Sequence, residues 1–136
     1  MILLDTHTWI WWVQDDPMPD GMRMTIEYEA ADGLAVSAIS CWEVSMLVER
    51  GRLELAKDID EWLDLALHPS GVSLIPISPQ IAMASARLPG RFHRDPADQI
   101  IVATSRVLNL RLATCDEKIR AYPYVRLLDG MLINDR

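Results

Sequence analysis

Cysteine is scarce in this chain: Cys41 and Cys115 are the only two. Nothing in their setting points to a disulfide framework or a zinc site, so small packing side chains are their expected role. Long apolar runs are missing too, and no stretch approaches the roughly 20 apolar residues that a membrane span requires. The opening Met1-Ile2-Leu3-Leu4-Asp5 has no basic region and meets an acid at once. That argues against a secretory signal and for a cytoplasmic protein.

Positive charge is in short supply: 13 Lys and Arg face 20 Asp and Glu, a formal net charge of −7. Broad attraction to nucleic acid rests on Lys and Arg and is therefore disfavoured. A nucleic-acid substrate stays open, because a metal ion or a local basic rim can neutralise phosphate. There is no Gly-x-Gly-x-x-Gly or Walker-type phosphate loop, and no Ser-His-Asp or Cys-His arrangement competes for nucleophilic catalysis. Repeats, low-complexity tracts and interdomain linkers are also absent. Residues 1–136 are read as one domain, long enough to bury a core.

What is present is an alternation of short apolar runs and amphipathic stretches. The runs Ile2–Leu4, Leu34–Ala38, Val72–Ile77, Leu110–Thr114 and Val125–Leu128 suit buried strands. Between them, helices are predicted over Thr6–Gln14, Arg23–Ala31, Ser40–Arg50, Ile59–Leu67, Pro79–Leu88, a stretch opened by Asp95-Pro96, and Glu117–Ala121. Strands alternating with helices imply an α/β fold with a parallel sheet covered on both faces. Trp9, Trp11 and Trp12 crowd the first helix, and at least two of them are expected in the core; a remaining exposed ring would suit a protein partner.

Acidic residues recur near the ends of these runs. Asp5 follows the first strand, Glu43 the second, and Asp116 the fourth, while Asp98 lies in Asp95-Pro96-Ala97-Asp98. The carboxyl ends of parallel strands form the ligand crevice of such sheets. Four carboxylates gathered there repel, by roughly 4 kcal/mol per pair about 4 Å apart at an effective dielectric of 20. A divalent cation relieves that repulsion, and hard oxygen ligands select Mg²⁺ or Mn²⁺ over zinc. Each acid also has a plain structural reading. Asp5, Asp95 and Asp116 suit helix N-caps, and Ser40-Cys41-Trp42-Glu43 reads as a capping box that needs no function. Their common position is what favours a metal-dependent hydrolase.

A basic cluster, Arg87, Arg91, His93 and Arg94, leads directly into Asp95. It reads either as a solvated loop or as a rim for a polyanion's phosphates, with Phe92 available to stack on an unpaired base. His7, beside Asp5, and His68, before Pro69, are read as surface or packing residues. Two other classes compete. One is a regulatory binding module with a vestigial acidic pocket. The other is a phosphoryl-transfer enzyme with an Asp nucleophile, against which Asp5-Thr6-His7-Thr8 lacks a second Asp two residues on.

Four blocks together resemble the PIN-domain proteins, and most closely the VapC-type toxins of bacterial toxin–antitoxin systems. They are Met1-Ile2-Leu3-Leu4-Asp5-Thr6-His7, Val36-Ser37-Ala38-Ile39-Ser40-Cys41-Trp42-Glu43-Val44, the stretch from His93 to Thr104, and Leu112-Ala113-Thr114-Cys115-Asp116. The resemblance implies a three-layer α/β/α sandwich with a central parallel sheet of four to five strands. It implies a Mg²⁺- or Mn²⁺-dependent ribonuclease with an RNA substrate, a cognate antitoxin as partner, and homodimers. By motif position the acidic ligands fall on Asp5, Glu43, Asp98 and Asp116, with Asp95 as an auxiliary acid. Gln99 departs from the pattern, because an Arg often stands there and would offer a phosphate contact or salt bridge.

Overall fold

The structure is a computed structural model and describes residues 1–19, 21–68 and 71–128. Four strands, β1 (Ile2–Leu4), β2 (Leu34–Ser37), β3 (Val72–Ile75) and β4 (Arg111–Ala113), form a sheet in the order β3-β2-β1-β4. Every pairing is parallel, with Leu3 level with Ala35 on one side and Leu112 on the other.

The central strands are apolar at almost every position because both faces are covered. Alternation then sends neighbouring side chains to opposite layers. Ile2, Leu4, Leu34, Val36 and Ala113 enter one core with Trp9, Ile10, Met22, Ile26, Val44 and Trp62. Leu3, Ala35 and Leu112 enter the other, with Ile101, Val102, Ile119 and Tyr122. The result is the expected three-layer α/β/α arrangement, with four strands among the described residues.

The helices are α1 (Thr6–Gln14), α2 (Met22–Glu29), α3 (Ala38–Glu49), α4 (Ile59–Leu67), α5 (Pro79–Ser85), α6 (Pro96–Leu108) and α7 (Glu117–Arg120). α1 and α4 match the expected spans residue for residue. α2 gives way early to a 3₁₀ turn over Ala30–Asp32. α3 corrects the sequence reading at its start. Ser37, not Ser40, is the N-cap, its hydroxyl accepting from Ile39 N–H at 3.2 Å. The capping box therefore does not exist, and Glu43 stands beyond the first turn.

The expected fifth strand also fails to form. Val125–Leu128 contributes one isolated bridge, Leu112 to Leu127. Leu112 N–H donates to Arg126 O at 2.8 Å and Leu128 N–H to Leu112 O at 3.0 Å. Both bonds converge on Leu112, so the contact stops at a single bridge. Residues 129–136, at the tail of the chain, lie outside the described residues.

The tryptophans divide. Trp9 is completely buried, its ring edge-on to Trp62 at 5.0 Å. Trp11 and Trp12 are half-buried, and Arg23 lies over the Trp12 ring at 5.5 Å. This leaves little of the expected aromatic patch on α1, whereas Trp42 on α3 is 54% exposed. No helix among the described residues is long and apolar enough to cross a membrane.

Candidate metal centre

The order of the sheet reverses at β1, whose neighbours are β2 and β4. A crevice opens beyond the carboxyl ends of strands at such a point. Here it is a cleft of about 360 Å³ lined by Asp5, Glu43, Asp95, Asp98 and Asp116, with Thr6, His7, Thr8, Trp11 and Cys115 completing its wall. All five acids singled out from the sequence thus meet in one cleft, but by different routes. Asp5 leaves the end of β1 and Asp116 follows β4. Glu43 projects from α3, and Asp95 and Asp98 stand at the start of α6, which no strand directly precedes.

Three of these acids are N-caps, as their plain structural reading implies. Asp5 Oδ1 accepts from Thr8 N–H at 2.9 Å, Asp95 Oδ1 from Asp98 N–H at 3.0 Å, and Asp116 Oδ1 from Ile119 N–H at 3.0 Å. Capping occupies one oxygen of each, and in Asp95 and Asp116 it leaves the other for the cleft. Asp5, only 7% exposed, spends its second oxygen as well, accepting from the Thr114 hydroxyl. Thr114 in turn accepts from Asp116 N–H at 3.0 Å, so one hydroxyl ties two strand ends together. Glu43 accepts from the Thr6 hydroxyl, which lies 2.8 Å from the buried Ser40 hydroxyl. Thr6, Ser40 and Thr114 are functional supports that sequence reasoning misses. No local signal finds them, because Thr6 serves Glu43 from 37 positions away and Thr114 serves Asp5 from 109.

The electrostatics show strain of one sign. Burial raises the Asp5 carboxyl, against the lowering effect of its Thr114 and Thr8 hydrogen bonds. Burial also raises Glu43, against the Thr6 hydrogen bond. Asp98 is pushed up to about 7, first by burial and then by the charges of Asp95, Asp116, Glu43 and Asp5. No Lys or Arg among the described residues forms an ion pair with any of the five. Among the described residues the basic group nearest to them is His93, whose Nε2 lies 2.9 Å from Asp98 Oδ2. An oxygen-rich donor set under mutual repulsion, without a Lys or Arg to balance it, fits a hard divalent ion.

The basic cluster is split by the structure. Arg87, Arg91 and Arg94 are exposed. His93 turns inward to the acids, and Phe92 packs against it at 4.5 Å and against Tyr122 at 4.8 Å. Phe92 is therefore a wall residue and not a free stacking platform. Lys118, which no sequence motif singles out, borders the mouth with Glu117 and Asp116. His7 is exposed on the cleft wall, 6.4 Å from the Trp11 ring. His68 lies elsewhere, 3.4 Å from Asp64. Gln99 donates to the carbonyl of His93 at 3.1 Å, a structural use for the position where the pattern often has Arg. Cys41 and Cys115 are free, half-buried thiols packed on the core.

A parallel three-layer sheet that gathers acids at its carboxyl edge defines a class of acidic-cleft α/β/α folds. Within it, the PIN-domain model matches residues 2–123, and the chain belongs to the PIN-domain family. Ribonuclease VapC22 of Mycobacterium tuberculosis is 38% identical over 126 residues, covering 92% of this chain and 94% of that protein. Among solved structures, VapBC2 from Rickettsia felis bound to a promoter DNA fragment aligns with a TM-score of 0.69 at 20% identity, covering 93% of this chain and 97% of the other. DNA-bound VapBC from Salmonella typhimurium aligns at 0.65 with 18% identity, over 93% and 97%.

Proposed function

We propose that the chain is a VapC-type toxin, a divalent-cation-dependent ribonuclease that hydrolyses RNA phosphodiester bonds. The observation that carries this reading is the cleft of five unbalanced carboxylates, supported by the relation to ribonuclease VapC22. Asp5, Glu43, Asp98 and Asp116 would hold Mg²⁺ or Mn²⁺, with Asp95 assisting. When bound, such an ion supplies positive charge for the phosphate oxygens and eases deprotonation of an attacking water.

The chain's own residues do the rest. Thr114 and Thr6 fix the rotamers of Asp5 and Glu43, so the donor set is formed before substrate arrives. Both Asp5 oxygens are committed to hydrogen bonds, whereas Asp98 has a carboxyl pushed up to about 7 and receives none from a backbone or hydroxyl donor. In the cation-free cleft Asp98 is therefore the acid that holds a proton closest to neutral pH, and an ion bound there would displace it. Arg87, Arg91 and Arg94 form the rim that holds the RNA backbone, and Lys118 adds a charge at the mouth.

The partner is a cognate antitoxin, consistent with the toxin–antitoxin complexes among the similar structures, and it would cover the acidic cleft with a basic residue. A second copy of this chain is the other expected partner, favoured by exposed apolar side chains such as Trp42 and Met83.

The test is cleavage of single-stranded RNA by the purified chain. Activity should vanish with EDTA and return with excess Mg²⁺ or Mn²⁺; cleavage that survives chelation would sink the reading. Replacing both Arg91 and Arg94 by Ala should flatten the salt dependence of RNA binding. The log–log slope should fall by roughly one to two, at about 0.7 for each phosphate no longer neutralised. An unchanged slope would remove the rim from the RNA path.

A further inference from the structure

His93 sits among arginines in sequence, yet its side chain is only 23% exposed and its Nε2 is fully buried. That nitrogen lies 2.9 Å from Asp98 Oδ2 but makes no hydrogen bond to it or to any other group. The contact has the length of a hydrogen bond without its direction. Two neighbouring ligands of an octahedral ion, each about 2.1 Å from it, stand about 3 Å apart and point at the ion, not at each other. One donor atom each from His93, Asp98 and Asp116 all lie within 4.8 Å of one another, close enough for small rotamer changes to enclose an ion.

We propose that His93 is a direct ligand of the divalent cation, giving a mixed set of one imidazole nitrogen with the carboxylates of Asp98 and Asp116. The proposal rests on the cation-dependent reading of this cleft and adds a nitrogen donor to it.

The ring is held for that role. Phe92 stands nearly perpendicular to it at 67°, and Tyr122 backs Phe92. The Gln99 carboxamide fixes the His93 carbonyl, so the backbone that carries the ring is tied to the start of α6. One imidazole among carboxylates shifts affinity away from Mg²⁺, which prefers oxygen, towards a first-row transition ion. Mn²⁺ is the ion of that series that the remaining oxygen donors also suit. The centre is thus expected to prefer Mn²⁺ to Mg²⁺.

Pulsed EPR of the full chain loaded with Mn²⁺ tests this directly. The expected result is a ¹⁴N coupling typical of a directly bound imidazole, lost in His93→Ala and kept in His7→Ala. Calorimetry should show His93→Ala weakening Mn²⁺ by about tenfold or more, but Mg²⁺ by less than about threefold. Circular dichroism checks that the variant is folded, and the parent spectrum needs no variant at all. Bound Mn²⁺ without nitrogen coupling, or a coupling that follows His7, overturns the proposal and leaves the ribonuclease reading standing. Failure of the parent to bind Mn²⁺ or Mg²⁺ overturns both.

Discussion

Replacing Asp98 by Asn is expected to slow RNA cleavage by about a thousandfold, because a missing cation ligand costs several kcal/mol of transition-state stabilisation and each 1.36 kcal/mol is tenfold. The same substitution should not unfold the protein. The Asp98 side chain is 18% exposed and makes no bond that holds α6 together. The helix start is secured by Asp95, which accepts from the backbone N–H of residue 98 and is indifferent to its side chain. Asn keeps the shape and removes a charge that four neighbouring acids oppose. Cation-free Asp98→Asn should therefore melt at or above the parent's temperature at pH 8, where the parent carboxyl is ionised. Opposite signs for activity and stability separate a functional acid from a structural one. Initial rates with Mg²⁺, beside thermal melts in EDTA, give both readings. A variant within tenfold of the parent's rate would remove Asp98 from the centre.

How far the sequence leads is clearest at particular residues. The layers were legible because the runs Ile2–Leu4 and Leu34–Ser37 are apolar at almost every position, a pattern that only a sheet covered on both faces requires. Asp5 and Asp116 were legible as neighbours because both follow strands, and β1 does pair with β4. Glu43 is different. Its capping-box spacing from Ser40 is a real local signal, but Ser37 wins the cap, since β2 ends at Ser37 and the helix begins at once. Ser40 is then carried into the interior, within 2.8 Å of Thr6. Local rules cannot rank two serines three residues apart; the register of the sheet does. The expected fifth strand meets β4 only at the Leu112–Leu127 bridge, an outcome that the apolar run Val125–Leu128 does not foretell. His93 groups with Arg91 and Arg94 in sequence, which shows adjacency but not that its side chain alone turns inward to Asp98.

The cleft should also make the cation-free protein less stable as pH rises, and a divalent ion should reverse this. The unfolded chain releases the Asp98 proton near the ordinary value of 3.8, whereas the folded chain holds it to about 7. Between those values the folded state binds more protons, so stability falls as pH increases. Asp5 and Glu43 are raised in the same direction by burial and add to the slope. In EDTA, the melting temperature should therefore drop between pH 5 and pH 8, more steeply in the parent than in Asp98→Asn. That difference isolates the cleft from acids elsewhere. An ion at about 100 times its dissociation constant adds about 2.7 kcal/mol, or roughly 10 °C for a chain of this size. The gain should be large at pH 8 and small at pH 5, where protons compete for the same oxygens. A melting temperature that climbs with pH in EDTA, or an ion effect equal at both pH values, would mean that the five carboxylates do not act as one charged cluster. An ion bound there would relieve the repulsion that the empty fold carries, so the two measurements should move together.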